Sequence, residues 1–444
     1  MARRSSVRER EHRSMSRRTF LAGAAVATGA VSLSGLGGIV AAGQAPAYPK
    51  GTKLHMLQEI NFLPAADTEF LAQAAEYGTQ MGVEVTVERI AQNNVPTRAT
   101  SAATMGSGPD IILIQNNFPL LIAGALADVS DVAEPLGKAQ GGYYEISKAN
   151  AFANGHWLGV PQHVHSWGWN YRESWLREVG YEKFPETWDD FRAMGKKLKA
   201  NGHPVGQAFG HSTNDPNNYC YALMWCFGGC EVEKNGKTVV LDKKGTLEAL
   251  RLNTAMWTEC MDEGGLSWDD SSNNRAFLAG SLSVTGNSPT IYPLAKDKFP
   301  EIANDMNHAP MPKGPAGRFY QLPVYTSVVM KYSKNQKLAK DFIRWYMEKP
   351  QYEKYFTVMD TFAIPPTRMW VDHPVWVKDR KCVMFRDIIK DALWPGYAGP
   401  PTRKASEALA KYIIVDMFAK AIQGTKPEEA LQWATGELKK TYSA

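Results

Sequence analysis

Polar side chains follow two of the apolar strands predicted near the beginning of the chain. Glu59 and Asn61 come after the first short strand, and Asn116 and Asn117 directly follow the continuous apolar run 110–114. Loops at the carboxyl ends of parallel strands open on a common crevice, and carboxylates and amides there can hydrogen-bond a polar ligand. We therefore expect these four side chains to bind a ligand; for the asparagines, capping of the following helix is the alternative.

His163 and His165 alternate along an extended segment, and Trp167 continues the alternation. Alternate residues of a strand point to one face, so the two imidazoles would lie side by side. They could hydrogen-bond the hydroxyls of a ligand or hold a metal ion, but a third metal ligand is not evident. The indole of Trp167 would stack on an apolar face of the ligand.

Further candidates lie in the second half of the chain. Most of the 13 Trp and 18 Tyr residues must belong to the core, because large aromatic side chains dominate protein interiors. Position selects the following residues: Tyr219 after the polar loop 214–218, Tyr325 on a strand near a predicted hinge, Trp394 and Tyr397 in a Pro/Gly-rich turn, and Arg403, for which a solvated side chain is the default interpretation.

The elements that position these residues are those of an α/β protein. Apolar periodicity predicts a strand from Lys53, a helix over 67–81, a strand over 83–90 and a helix over 96–105, each helix ending at a glycine. Later helices are predicted over 175–199, with a new start capped by Thr187, and over 337–347, 383–393, 406–422 and 427–442. The βαβ order indicates a parallel sheet in the first part of the chain.

Length and composition indicate two lobes. About 400 residues exceed one ordinary hydrophobic core, and the absence of a repeat or a low-complexity linker suggests that the chain crosses between the lobes several times. The formal net charge of +5 comes from the first 20 residues, which contain seven Arg and two Glu. The remainder has no basic block, which argues against a nucleic acid partner. The five cysteines favour buried thiols, with one bridge among Cys220, Cys226 and Cys230 as the alternative.

Residues 16–21 (SRRTFL) and the uncharged, small-residue run that follows to about Gln44 resemble a twin-arginine export signal. A membrane anchor is the alternative, but the run is rich in Gly and Ala, which contribute little transfer energy. Small residues at 40–42 and at 45–47 offer cleavage sites. We expect residues 1–45 to be a signal peptide and the protein to act in the periplasm.

Several ordered motifs are similar to those of the family 1 extracellular solute-binding proteins, the periplasmic components of ABC sugar importers. The motifs are 106–111 (GSGPDI), 155–161 (GHWLGVP), 169–176 (WNYRESWL), 185–189 (PETWD), 277–280 (FLAG) with 284–286 (VTG), 312–315 (PKGP), 333–339 (SKNQKLA), and Gly424 with 427–431 (PEEAL). Each motif alone is weak evidence for the family, whereas the occurrence of all of them in the same order along nearly the whole mature chain is strong evidence.

The resemblance implies a fold of class α/β: the two-lobe, type II periplasmic-binding-protein fold, with central mixed sheets flanked by helices and a ligand cleft between the lobes. We expect an N-terminal lobe of residues 46–161 plus 312–364 and a C-terminal lobe of residues 162–311 plus 365–444. It also makes Asn287 and Tyr292 candidate ligand contacts, because residues of the corresponding turn touch ligand in the family.

The function implied is capture of a sugar, oligosaccharide or polyol by hinge closure and its delivery to the permease subunits of an ABC importer, by a monomer without a cofactor or a catalytic or metal site. The rival hypothesis is an exported carbohydrate-active or cofactor-containing enzyme. Its fingerprints are missing: we find no Gly-x-Gly-x-x-Gly, no Cys-x-x-Cys-His and no Gly-x-Ser-x-Gly. Paired catalytic carboxylates remain open on the sequence alone.

Overall fold

The computed structural model describes residues 48–443. The predicted export signal and its predicted cleavage sites lie outside the described residues. The strands are β1 Lys53–Glu59, β2 Glu84–Ile90, β3 Ile111–Ile114, β4 Phe152–Ala153, β5 His156–Trp157, β6 Val160–His165, β7 Gly168–Arg172, β8 Val205–Gly206, β9 Val284–Asn287, β10 Met306–Ala309, β11 Tyr320–Gln321, β12 Val324–Val329, β13 Ala363–Ile364 and β14 Ala392–Leu393.

The helices are α1 Pro64–Met81, α2 Val95–Met105, α3 Phe118–Leu121, α4 Ser130–Ala139, α5 Glu145–Ala151, α6 Glu173–Glu178, α7 Trp188–Ala200, α8 Asp215–Cys226, α9 Lys244–Cys260, α10 Ser272–Leu278, α11 Ile291–Lys298, α12 Pro300–Asp305, α13 Gln336–Met347, α14 Lys349–Met359, α15 Arg403–Ala410, α16 Ile413–Ile422 and α17 Pro427–Ser443. Among residues 48–443, no helix combines the length and the apolar content needed to cross a bilayer.

Two mixed sheets organise these elements. The first has six strands in the order β13-β6-β12-β3-β1-β2, and the second has four in the order β10-β7-β9-β8. We call each sheet with its packed helices a lobe. The chain enters the second lobe between β6 and β7, returns for β12 and β13, and ends in α15 to α17, of which α16 and α17 pack on α9. The chain therefore passes between the two sheets more than once.

The crossover after β6 follows His165, because Val164 and His165 pair with β13 in the six-stranded sheet. Our predicted boundary at Pro161 falls inside β6. Proline in a strand is tolerated at bulges, and Pro161 faces Thr326 where the register between β6 and β12 shifts. We now propose that the first lobe extends to His165.

Local sequence accounts for the start of the first lobe. β1 pairs in parallel with β2 and with β3, as the βαβ pattern predicts. α1 and α2 end at Gly82 and Gly106, which have φ of 68° and 65°, a left-handed conformation that costs glycine little. At the start of α7, the Thr187 hydroxyl accepts a hydrogen bond from the Asp190 backbone N–H, as predicted.

Two predicted helices are wrong. Residues 383–393 form 3-10 turns (Arg380–Arg386 and Ile388–Asp391) and then β14, because β14 pairs in parallel with β11 and pairing requires extended backbone. The predicted helix 406–422 is two helices, since Tyr412 between them has a φ of 53°. The Tyr412 ring stacks on His211 with 4.4 Å between centroids, a tertiary contact that the helical periodicity does not contain.

Candidate functional site

A small cavity lies between the two lobes. It is lined by Phe62, His165, Asn214, Asp215, Asn218, Asp270, Asn287, Ser288, Thr290, Pro323 and Phe362. Its volume is about 10 Å³, which is room for about one water molecule. A larger ligand can therefore enter only if the lobes separate.

The first-lobe wall of the cavity is aromatic. Phe62 follows β1 and Phe362 precedes β13, and their rings meet edge to face with 6.4 Å between centroids. His165, the last residue of β6, lies against Phe362 with 4.0 Å between ring centroids. These rings offer faces and edges rather than strong hydrogen-bonding groups.

The second-lobe wall consists of amides, hydroxyls and two carboxylates. Asp215 begins α8, and its carboxylate accepts hydrogen bonds from the Trp167 indole N–H (3.1 Å), the Asn273 amide (2.9 Å) and the Asn287 amide (3.0 Å). All three donors are uncharged. Burial raises the pKa of Asp215 well above its usual value.

Asp270 is the second buried carboxylate. It accepts hydrogen bonds from the Ser212 hydroxyl (2.6 Å), the Asp215 backbone N–H (2.8 Å) and the Asn214 backbone N–H (3.2 Å). It thereby pairs the orphan N–H groups at the start of α8, a good position for a carboxylate. Burial nevertheless raises the pKa of Asp270 to about 6.

Behind the aromatic wall lies a buried cluster on the first sheet. The Nε2 atoms of His163 and His165 are 3.2 Å apart. The ring of Tyr325 stacks on His163 and lies tilted against His165. Burial lowers the pKa of His163 to about 3 and that of His165 well below its usual value, so both are neutral. Burial raises the pKa of Glu59 to about 8.

Hydrogen bonds between the lobes hold the cavity shut. The Thr213 hydroxyl, just before α8, donates to Asn93 Oδ1 (3.0 Å) and accepts from Gln115 Nε2 (3.4 Å). The Asn116 amide donates to the Thr213 carbonyl (3.2 Å) and accepts from Gln321 (2.9 Å). The residues after β3 therefore form hydrogen bonds across the cleft.

Replacing Thr213 with Val should favour separation of the lobes. Valine has nearly the same shape but cannot make the two hydroxyl hydrogen bonds, each worth about 0.5–1.5 kcal/mol. We expect the closed form to lose about tenfold in population relative to the open form. Small-angle X-ray scattering should show a larger radius of gyration for Thr213→Val, whereas Thr213→Ser, which keeps the hydroxyl, should match the unmodified protein. Identical scattering from all three would contradict this role.

The buried carboxyl groups predict that stability falls as the pH rises from about 7 to 8.5. Burial raises the pKa of Glu59 to about 8 and that of Glu231 to about 7, so in this range the folded chain releases protons that the unfolded chain has already lost, and the stability they contribute disappears. The neutral imidazoles do not offset the effect, because unfolded histidines are also largely neutral there. The melting temperature should fall by about 2–4 °C.

Differential scanning calorimetry across this pH range, with Glu59→Gln as the comparison, tests the prediction. The glutamine variant should show a shallower decline, because one of the titrating groups is gone. A melting temperature that rises over the same range in the unmodified protein would contradict it.

The structure places the predicted residues in three groups. His165 and Asn287 line the cavity. A second group lies directly behind or beside it: Glu59, Asn116, His163, Trp167 and Tyr325. Asn117 is buried, does not cap α3 through its side chain, and its carbonyl accepts from the Ser406 hydroxyl on α15. Trp167 lies between β6 and β7 rather than on the strand of the histidines.

The third group lies away from the cavity walls. The Asn61 side chain accepts from the Leu63 N–H in a turn, Tyr219 is in the aromatic core with its hydroxyl on Asn253, and the Tyr292 hydroxyl donates to Asp379. Three more residues belong to this group. The Trp394 indole N–H donates to the Gly399 carbonyl, and Tyr397 packs on Trp225 and Trp394. Arg403 is exposed and paired with Glu407. Arg403 therefore has the solvated side chain that was the default interpretation of the sequence.

Several residues of the cavity wall were not among the candidates predicted from the sequence. They are Asp270, Ser288 and Thr290 of the second lobe and Phe362 of the first. A usable signal exists for Asp215, since Asn-Asp-Pro marks the start of a helix, but nothing local marks Asp270. The five cysteines are buried free thiols. In the described part of the chain, no group of three or more His, Cys, Asp or Glu side chains is placed to hold a metal ion.

Comparison with known proteins gives the family. A model of bacterial extracellular solute-binding proteins matches residues 72–383. The chain belongs to this family. Among the relatives of this solute-binding protein is a probable ABC transporter-binding protein of Deinococcus radiodurans, 25% identical over 346 residues, which are 75% of this chain and 80% of the relative. A putative binding protein of Brucella abortus is 24% identical over 305 residues, 63% of this chain and 72% of the relative.

Solved structures give the fold. A maltose-bound MalE3 of T. maritima has a TM-score of 0.75 at 20% identity, covering 88% of this chain and 99% of the other. A sugar transporter protein of Arthrobacter chlorophenolicus with bound laminaribiose has a TM-score of 0.76 at 16% identity, covering 87% and 99%. A solute-binding protein of Agrobacterium radiobacter in complex with ribitol has a TM-score of 0.73 at 16% identity, covering 88% and 99%. The solute-binding protein therefore has the two-lobe, type II periplasmic-binding-protein fold that the motifs predict.

Proposed function

We propose that this protein captures a carbohydrate or polyol by closing its two lobes over it, and delivers it to the permease subunits of an ABC importer. The observation that carries the proposal is the interlobe cavity, which has an aromatic wall on one lobe and a wall of oxygen acceptors on the other. This division matches a saccharide, which presents a weakly apolar face and a rim of hydroxyl donors.

The small volume of the cavity explains why capture needs a hinge. A saccharide is far larger than the one water molecule that fits, so the ligand must enter an open form and hold the lobes a little further apart than they lie here. Ser166 links the lobes at the crossover after β6: its hydroxyl donates to the Thr361 carbonyl (2.6 Å), and its own carbonyl accepts from Ser288 (2.6 Å). We propose this segment as part of the hinge.

The proteins of similar fold support the ligand class. Their structures contain maltose, laminaribiose and ribitol, all of them uncharged compounds rich in hydroxyl groups. The identities of 16–20% transfer the fold but no individual contact. The ligand of this chain therefore has to be determined directly.

We further propose that the protein is exported by the twin-arginine route, folded before it crosses the membrane, and works in the periplasm as a monomer without a cofactor. Five buried free thiols are compatible with folding in a reducing compartment before export. Expression of a fusion in cells lacking the twin-arginine translocase should leave the protein in the cytoplasm. Replacing Arg17 and Arg18 with Lys should have the same effect in normal cells.

Residues 46–444 should be titrated with monosaccharides, disaccharides and polyols, with the melting temperature as the measurement. A ligand that binds the folded state at a hundred times its Kd stabilises it by about 2.7 kcal/mol, so a true ligand raises the melting temperature clearly. The recovered compound should be chemically unchanged. Turnover of a bound saccharide would favour the enzyme hypothesis instead, and the absence of any shift across the panel would contradict the proposal.

A further inference from the structure

The polar wall of the cavity is richer in acceptors than in donors. A carboxylate has about four lone-pair sites, and Asp215 and Asp270 each receive three hydrogen bonds from protein donors. Each therefore keeps about one acceptor site for a ligand. The six donors are N–H and O–H groups without charge, so they pair the oxygens, but the protein supplies no positive charge to favour ionisation of either carboxyl group.

Two amide oxygens of the same wall have no partner. Asn214 Oδ1 and Asn218 Oδ1 are buried atoms without a hydrogen bond, on residues that are 6% and 2% exposed and line the cavity. An unpaired buried polar atom costs about 1–3 kcal/mol. These oxygens require a donor that the surrounding protein does not supply.

The cavity has no cation of its own. None of its lining residues is Lys or Arg, and the one imidazole among them, that of His165, is held neutral by burial. The remaining wall is formed by Phe62 and Phe362, whose ring faces attract a positive charge. Every wall therefore favours a ligand that brings donors together with positive charge.

We propose that the ligand carries a protonated amine among its hydroxyl groups, as an amino sugar or an amino polyol does. The inference rests on the proposed function and narrows it. An ammonium group supplies three donors and one positive charge, and it would lie against Asp215 and Asp270, where a neutral ligand leaves a buried pair of acids without a counter-ion. Burying an unpaired charge is costly, so the wall discriminates between an amine and a hydroxyl at that position.

Pairing of a ligand amine with these two carboxyl groups makes ligand binding depend on pH. Below a pH of about 6, Asp270 is protonated, and the attraction for a cation weakens, so the affinity for an amine should fall on acidification. The titratable groups around the pair are Asp269 on the same loop, Glu59 from β1, His165 from β6, Tyr325 from β12 and Tyr412 before α16. Over a range of about pH 5 to 7, His165 and both tyrosines keep one protonation state.

Isothermal titration calorimetry of the unmodified protein with matched pairs tests the inference: D-glucosamine against D-glucose, D-galactosamine against D-galactose, and D-glucamine against D-sorbitol. At least one amine should bind about tenfold or more tightly than its hydroxyl parent at neutral pH, and the advantage should shrink at about pH 5. If a parent binds as tightly as its amine, the inference is overturned while the proposed function stands. If no saccharide or polyol binds at all, both fail.

Two variants that each remove one carboxylate identify the residue responsible for the preference for an amine. Asp270→Asn removes a buried charge of the wall, and Asp269→Asn removes the charge of the preceding residue, whose side chain is 56% exposed and bonds Ser271 and Ser272. We expect the tenfold amine advantage to disappear in Asp270→Asn and to persist in Asp269→Asn. Equal loss in both variants would overturn the assignment. If Asp270→Asn does not fold, the pH dependence of the unmodified protein decides.

Discussion

Replacement of Asp215 by Ala should weaken carbohydrate binding about a hundredfold, a loss of about 3 kcal/mol. The carboxylate lies at the centre of the polar wall and keeps one acceptor site for the ligand. It also fixes the Trp167 indole and the Asn273 and Asn287 amides, three buried donors that would lose their acceptor. Calorimetric titration with the tightest ligand of the panel measures the effect.

Asp215→Asn is the matched control. It keeps the size of the side chain and one acceptor oxygen, so the loss of affinity should be smaller than in Asp215→Ala. The melting temperatures of both variants report any change in folding. Binding by Asp215→Ala within about threefold of the unmodified protein, well under 1.4 kcal/mol, would show that the ligand does not contact this wall.

Replacement of Gly286 by Ala should lower the free energy of unfolding by about 1–3 kcal/mol, the usual cost of overpacking a core, and should also weaken binding. A Cβ atom on Gly286 would lie 2.4 Å from Trp167 Cζ2 and 2.6 Å from Gln207 Oε1. Trp167 is fully buried and packed on Trp169, so its ring cannot retreat without moving the N–H that donates to Asp215.

Gly436→Ala is the control, because Gly436 lies inside α17 and a Cβ there would meet nothing within 4 Å. It should raise the free energy of unfolding by about 0.5–1 kcal/mol, as alanine is the better helix former. Chemical denaturation of both variants gives the comparison. If Gly286→Ala were as stable as the unmodified protein and bound ligand equally well, the tight packing between Trp167 and β9 would have no part in the site.

Local sequence was sufficient to predict elements whose conformation depends only on neighbouring residues. The alternation in β2, the glycines after α1 and α2 and the Thr187 cap depend on neighbouring residues, and each appears in the structure. The break at Tyr412 coincides with its stacking on His211, a residue far away in the sequence. No short-range pattern contains that contact.

The candidate site also contains residues that the sequence could place and residues that depend on long-range contacts. Loops after β1 and β3 face the cleft for a topological reason, so Glu59 and Asn116 could be placed near it from the strand order alone. Asp270 reaches the cavity because it pairs the N–H groups at the start of α8, far from it in sequence. Tyr219 follows the polar loop in sequence but lies on the inner side of α8, where the helical rotation turns it into the core.

The crystal structure of residues 46–444 with the tightest saccharide or amino sugar of the panel tests the central claim most directly. We expect one intact ligand between the lobes, its ring or chain against Phe62 and Phe362 and its donors on Asp215, Asp270 and Asn218. A ligand bound elsewhere on the protein, or one found cleaved or modified in the cleft, would contradict the claim that this protein is a two-lobed clamp that holds its ligand unchanged.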